Sequence, residues 1–129
     1  MDIIFKVETQ KPFMVAVESI KASCAEVGFG VLWELNFKDK LHEKGLDFED
    51  NFMILEVCNP GKAQKVLLAQ RDMGFFLPCK VAVYEHEGKT FIGMPKPTEL
   101  MAMADAPELN SIALEVETQL KEAIDRAAI

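Results

Sequence analysis

The chain has 129 residues, half of them hydrophobic, with nine Phe and seven Met, and its formal net charge is −7. That is the size of one domain with material for one core, so residues 1–129 are expected to form a single domain that needs neither disulfide nor metal to fold. The acidic balance, with no Lys/Arg cluster to offset it, argues against nucleic acid or an anionic membrane surface as a partner. No stretch approaches the roughly 18 apolar residues of a membrane span.

The opening MDIIFKVETQ lacks the basic start and apolar run of an export signal. A cytoplasmic location is therefore expected, with Cys24, Cys58 and Cys79 as reduced thiols. Ile3 to Val7 reads as a first strand. Phe13, Val17, Ile20, Cys24 and Val27 recur at intervals of three and four, one face of a helix begun near Thr9 or Pro12 and closed by Gly28. From Phe29 the period becomes two: Phe29, Val31, Trp33, Leu35 and Phe37 are expected on one buried strand face, with Leu32 out of phase and reaching a second layer.

Lys38 to Lys44 suits a helical turn or two ended by Gly45, and Phe52 to Val57 is the third strand. Asn59-Pro60 follows at once, a good N-cap with proline at the first helical position, and Ala63, Val66, Leu67 and Gln70 face inward on the second helix. Phe75 to Pro78 lead into a strand from Cys79 to Glu85. Glu87-Gly88 turns the chain into a return strand, Thr90 to Gly93, ended by Pro95 and Pro97. Asp105-Ala106-Pro107-Glu108 has the spacing of a capping box, ahead of a long amphipathic helix marked by Leu109, Ile112, Val116, Leu120 and Ile124.

The order β-α-β-β-α-β-β-α reads as an α+β domain of the ferredoxin-like type: an antiparallel sheet with helices on one face, plus a hairpin strand and a C-terminal amphipathic helix. In such a plait the second β-α-β unit is a crossover, which makes its two strands parallel. Cys58 ends one and Cys79 begins the other, so the two would lie roughly 15–20 Å apart, beyond the 7 Å limit of a disulfide.

The segment Leu55 to Pro97 reads LEVCNPGKAQKVLLAQRDMGFFLPCKVAVYEHEGKTFIGMPKP. A strand, Cys-Asn-Pro, a helix, Leu-Pro-Cys and a hairpin resemble the uncharacterised bacterial family called domain of unknown function 302. Gly28-Phe29-Gly30-Val31-Leu32 and the helix before it also fit, so the likeness covers most of the chain. Asn59, Pro60 and Pro78 match the general form of the family, and cysteines at Cys58 and Cys79 look like a sub-pattern. The resemblance implies a stand-alone α+β domain that pairs as a homodimer. It defines no activity and no catalytic residue.

Cys58 precedes a helix N-terminus, where backbone N–H groups and the helix dipole favour a thiolate; a small buried residue at a strand end is the plainer alternative. For a divalent metal the candidates are Cys58, Cys79 and His42, with Glu43 and His86 also present, but no CxxC, HxxxH or HExxH spacing occurs. Asp47, Glu49 and Asp50 lack the glycine and distal Glu of a calcium loop. No GxSxG, Walker or GxGxxG motif occurs either. Phe75, Phe76, Met94, Met101 and Met103 are apolar residues in segments that look irregular, which suits a core under loops, a pocket or a subunit interface. Trp33 suits the core or such a surface.

The expectation is a homodimeric, non-enzymatic module that binds a small apolar molecule or a protein without a cofactor. Cys58, Asn59, Cys79, Phe76 and Trp33 are the candidate ligand-site residues. The alternative is a thiol- or metal-dependent protein using Cys58 with Cys79 or His42, within a chain or across a dimer.

Overall fold

The computed structural model of the chain describes residues 2–129. Among them five strands form one sheet: β1 (Ile4–Thr9), β2 (Gly30–Asn36), β3 (Phe52–Cys58), β4 (Cys79–His86) and β5 (Lys89–Pro95). The helices are α1 (Phe13–Glu26), α2 (Phe37–Glu43), α3 (Pro60–Ala69), α4 (Pro97–Ala104) and α5 (Asn110–Ala128), with 3-10 segments at Arg71–Phe76 and Pro107–Leu109. The strand order is β1-β5-β4-β3-β2, and every neighbouring pair is antiparallel. The chain thus has the expected α+β class, with an antiparallel sheet and a C-terminal amphipathic helix.

Local chemistry explains most of the element ends. Asn36 Oδ1 accepts from Asp39 N at 3.1 Å to start α2, and Asn59 Oδ1 accepts from Lys62 N at 3.2 Å to start α3, where Pro60 takes the first helical position. Gly28, at φ 86°, closes α1 in a backbone region that costs glycine little. Glu87 and Gly88 both have positive φ, 52° and 80°, the twist that a two-residue hairpin loop needs to join β4 to β5.

The core lies between one sheet face and the pair α1 and α5, which pack on each other and over the strands. Alternation sends Met53, Leu55, Val57, Val81, Val83, Ile92 and Met94 inward, to meet Val17, Ile20 and Cys24 of α1 and Leu120, Ala123 and Ile124 of α5. Each large side chain so buried contributes at most about 1.5–3 kcal/mol. Thr9 Oγ1 donates to the Ala128 carbonyl at 2.8 Å and ties the end of α5 to β1.

The second β-α-β unit is not a crossover. β3 and β4 are antiparallel neighbours with Val57 opposite Cys79, so Cys58 and Cys79 sit at the same end of the sheet. Ladder spacing puts their Cα atoms about 6 Å apart, not 15–20 Å. The physical reason is the 3-10 segment. It reverses the chain after the ten residues of α3, with Met73 N bonded to Gln70 O and Leu77 N to Gly74 O, and returns it to the edge it left.

Three further expectations change. The β2 register shifts between Val31 and Trp33, so Val31 pairs on the helix side with Val57 while Trp33 and Leu35 pair with Glu56 and Ile54 on the outer face. Leu32, at the bulge, is 63% exposed and Trp33 is 49% exposed; neither reaches a core or a second layer. The segment after Pro97 is the helix α4, because proline ends β5 and is then well placed to begin a helix. Asp105 does not cap the last helix. It is the left-handed residue that ends α4, at φ 53° and ψ 51°, and α5 begins without a side-chain cap after Leu109.

Candidate functional site

Where β4 begins and β5 ends, the sheet is flanked by the 3-10 segment, α4 and α5, and these elements enclose a cavity of about 310 Å³. Phe75, Phe76, Leu77 and Pro78 form one wall, on the segment that turns the chain back into β4. Met94, Pro95 and Pro97 form the wall where β5 gives way to α4, which adds Leu100 and Met101. The floor comes from Ile112, Ala113, Val116 and Leu120, one stripe of α5 at helical spacing. Phe75 is 88% exposed at the rim, a cost in exposed apolar area that a bound molecule or partner would offset.

One buried carboxylate holds the α4 wall in place. Glu117 on α5 is only 6% exposed. Its Oε1 accepts from Thr98 N at 3.0 Å and from Thr98 Oγ1 at 2.7 Å, and its Oε2 pairs with Lys121 Nζ at 3.2 Å. Burial by itself pushes this carboxyl up, but the two Thr98 hydrogen bonds and Lys121 outweigh it and hold the group below the ordinary glutamate value. The carboxylate therefore satisfies the Thr98 N–H in the first turn of α4 and ties that helix to α5.

The sequence candidates divide. Phe76 and Cys79 line the large cavity. Cys58 and Asn59 border a neighbouring hollow of about 40 Å³, together with Phe29, Lys62 and again Cys79. Trp33 lies on the outer sheet face beside Glu56, away from both. His42 is on α2 with Nε2 2.9 Å from the Phe48 carbonyl. That helix follows Asn36, which pairs with Met53, whereas Cys58 pairs with Gly30, so roughly 17 Å of strand separates His42 from the cysteines in one chain. Phe75, Met94 and Met101, read as apolar in irregular segments, meet at the large cavity, while Met103 is exposed outside it. Ala113 and Val116 on α5 and Leu100 on α4 also line the cavity; the α5 pair lies on the apolar stripe of the last helix, which periodicity detects but does not aim, and Leu100 had no signal because α4 was not legible as a helix.

All three cysteines are free thiols. Burial pushes Cys79 up to about 11, with Cys58 adding to it, and burial raises Cys58 as well, so neither favours a thiolate. The helix N-terminus beside Cys58 is served by the Asn59 side chain instead. Among the described residues no group of three or more His, Cys, Asp or Glu is placed to hold a metal ion. No helix among them is long and apolar enough to cross a membrane.

Fold and site together define a small α+β domain with an antiparallel sheet, layered helices and one apolar cavity at the sheet's end. The sequence profile described as "Domain of unknown function DUF302" matches residues 5–127. The crystal structure of an uncharacterized conserved DUF302 protein from Bacillus stearothermophilus superposes with a TM-score of 0.95 at 42% identity, covering 98% of this chain and 99% of that one. The chain belongs to the DUF302 family. No curated protein has a matching sequence.

Proposed function

We propose that the protein is a binding module that holds a small apolar molecule in the cavity between the 3-10 segment, α4 and α5. The observation that carries this reading is a space of about 310 Å³ walled almost wholly by apolar side chains. An apolar cavity of about 150 Å³ suffices for benzene, so this one has room for roughly twice that molecule. No catalytic motif in the sequence supplies acid, base or nucleophile to the space, and the thiol that borders it is held protonated by burial. The test is a fluorescence titration with the uncharged probe N-phenyl-1-naphthylamine. Saturable binding at one site per chain, lost in Ala113→Phe, is expected; no enhancement with the native protein would overturn the reading.

The second part of the proposal is that the module is a homodimer joined through the outer sheet face. That face carries Leu35, Ile54, Phe52, Tyr84 and Phe91, all half-buried, and α1 and α5 lie on the other side. Phe52 stacks on Tyr84 with ring centres 5.1 Å apart, and Tyr84 lies 5.3 Å from Phe91. The same face bears charges of both signs, Lys6 and Glu8 on β1 and Glu56 and Lys80 on β3 and β4, which lets a surface complement a second copy of itself. Sedimentation should give a dimer for the native chain and a folded monomer for Ile54→Glu. A native monomer at high micromolar concentration would remove this part.

A further inference from the structure

Charge at the cavity wall sharpens the choice of ligand. Among the lining residues only Lys80 carries a charge. It pairs directly with Glu56 across β4 and β3, its Nζ 2.7 Å from Glu56 Oε1, on the sheet face opposite the helices. The cation is thus neutralised and turned away from the space it borders.

Backbone donors are equally scarce. Pro78, Pro95 and Pro97, all in the wall, have no N–H to offer. N–H groups beside them are already engaged: Lys96 N on Ile3 O at 2.7 Å, Leu77 N on Gly74 O at 3.3 Å and Thr98 N on Glu117 Oε1 at 3.0 Å. The start of α4 would be the natural seat for an anion, but Glu117 already fills it through Thr98. An anionic head carried into this space would lose its water and gain no partner.

We infer that the cavity selects uncharged, hydrocarbon-like molecules and rejects carboxylates of the same shape. This rests on the cavity being the binding site. The selection comes from what the wall withholds: no free cation, few free N–H groups, and the protein's own carboxylate where an external one would dock. Ligands whose carboxylate must enter the space are therefore poor occupants, and neutral aromatic or terpenoid-sized skeletons are good ones.

Two rigid probes of nearly one shape test this, because neither can leave a head group trailing in solvent: 2-acetylnaphthalene, which is neutral, and 2-naphthoate. Calorimetric titration of the full chain at pH 7.5 should show the ketone binding at least 30-fold more tightly. Met101→Lys, at a half-exposed wall position, should raise naphthoate affinity at least tenfold, and Ala113→Phe should abolish ketone binding. Naphthoate binding within threefold of the ketone overturns the selectivity and leaves the cavity reading standing. Binding of neither probe overturns both, and so does ketone binding that survives Ala113→Phe unchanged. Failure of Met101→Lys to improve naphthoate binding overturns the account of the missing cation.

Discussion

Cys79 stands directly opposite Val57 in the antiparallel ladder of β3 and β4, so its thiol shares the helix-facing side with Val57 while Cys58, one residue on, starts toward the other face. The two cysteines are close in the fold and border the same small hollow, and both are free thiols.

Thiol titration should follow that arrangement. With an aromatic disulfide reagent at pH 8, Cys58 should react first, Cys79, equally half-buried but with its thiol pushed further up by burial, more slowly, and Cys24, which is fully buried, only on unfolding. Burial raises Cys24 and Cys79 to about 11. Folding therefore favours their protonated forms. That stability is fully present below the ordinary thiol value of about 8.5 and is lost as pH rises toward 11. Urea midpoints of the native protein should fall over this range more steeply than those of a Cys24→Ala, Cys79→Ala double variant. Equal slopes would show that the thiols carry none of the alkaline loss.

Glu117 gives the opposite sign. Its carboxyl is held below the ordinary value, so its contribution is complete above about pH 4.3 and disappears as pH falls through the lower folded value. Glu117→Ala should cost about 2 kcal/mol at pH 7 by stranding Thr98 and Lys121, and Glu117→Gln about 1 kcal/mol. Denaturant midpoints at pH 7, 5, 4 and 3 should show a shallower acid limb in both variants. Hydrogen exchange should quicken in α4 before it does in α5.

Gly93 is fixed by a neighbour and not by its own backbone angles. A Cβ there would lie 2.7 Å from the Phe5 carbonyl oxygen and 3.1 Å from Lys6 Cβ, where β1 passes close to β5. Gly93→Ala should destabilise by about 1–3 kcal/mol, because backbone must move to admit it. A thermal midpoint equal to that of the native chain would contradict this packing.

Asn59 works as a helix cap in this structure. Asn59→Ala should cost about 1 kcal/mol through the lost bond to Lys62 N, while Asn59→Asp keeps the acceptor and should cost less. Neither should change affinity for an apolar probe in the larger cavity, which Asn59 does not line. A tenfold loss of probe affinity in Asn59→Asp would return that residue to the ligand site.

Patterns that depend on neighbours in sequence were legible. The α1 stripe through Phe13, Val17, Ile20 and Cys24 was visible as period, and the cap at Asn59-Pro60 and the turn at Glu87-Gly88 as residue chemistry. The family likeness was visible in Cys-Asn-Pro and Leu-Pro-Cys. The bulge at Leu32 was not, because one inserted residue swaps every later side chain of β2 to the other face while the alternation itself looks intact. Trp33 and Leu35 changed sides for that reason alone.

At the cavity the same division holds. Phe76, Met94 and Met101 were singled out as apolar residues in the wrong kind of segment, but nothing local says that three separate segments face the same stripe of α5. Sequence by itself determined the five strands and most of the helices, though not α4, together with the α+β class and the apolar supply, since these follow from side-chain period, proline and glycine backbone limits, and area to be buried. Only tertiary structure decided that β3 and β4 run antiparallel, that Cys58 and Cys79 share one end, and that the spare apolar residues enclose a space. Those outcomes depend on how a short 3-10 segment reverses the chain and on what then packs against it, a balance of contacts between residues distant in sequence.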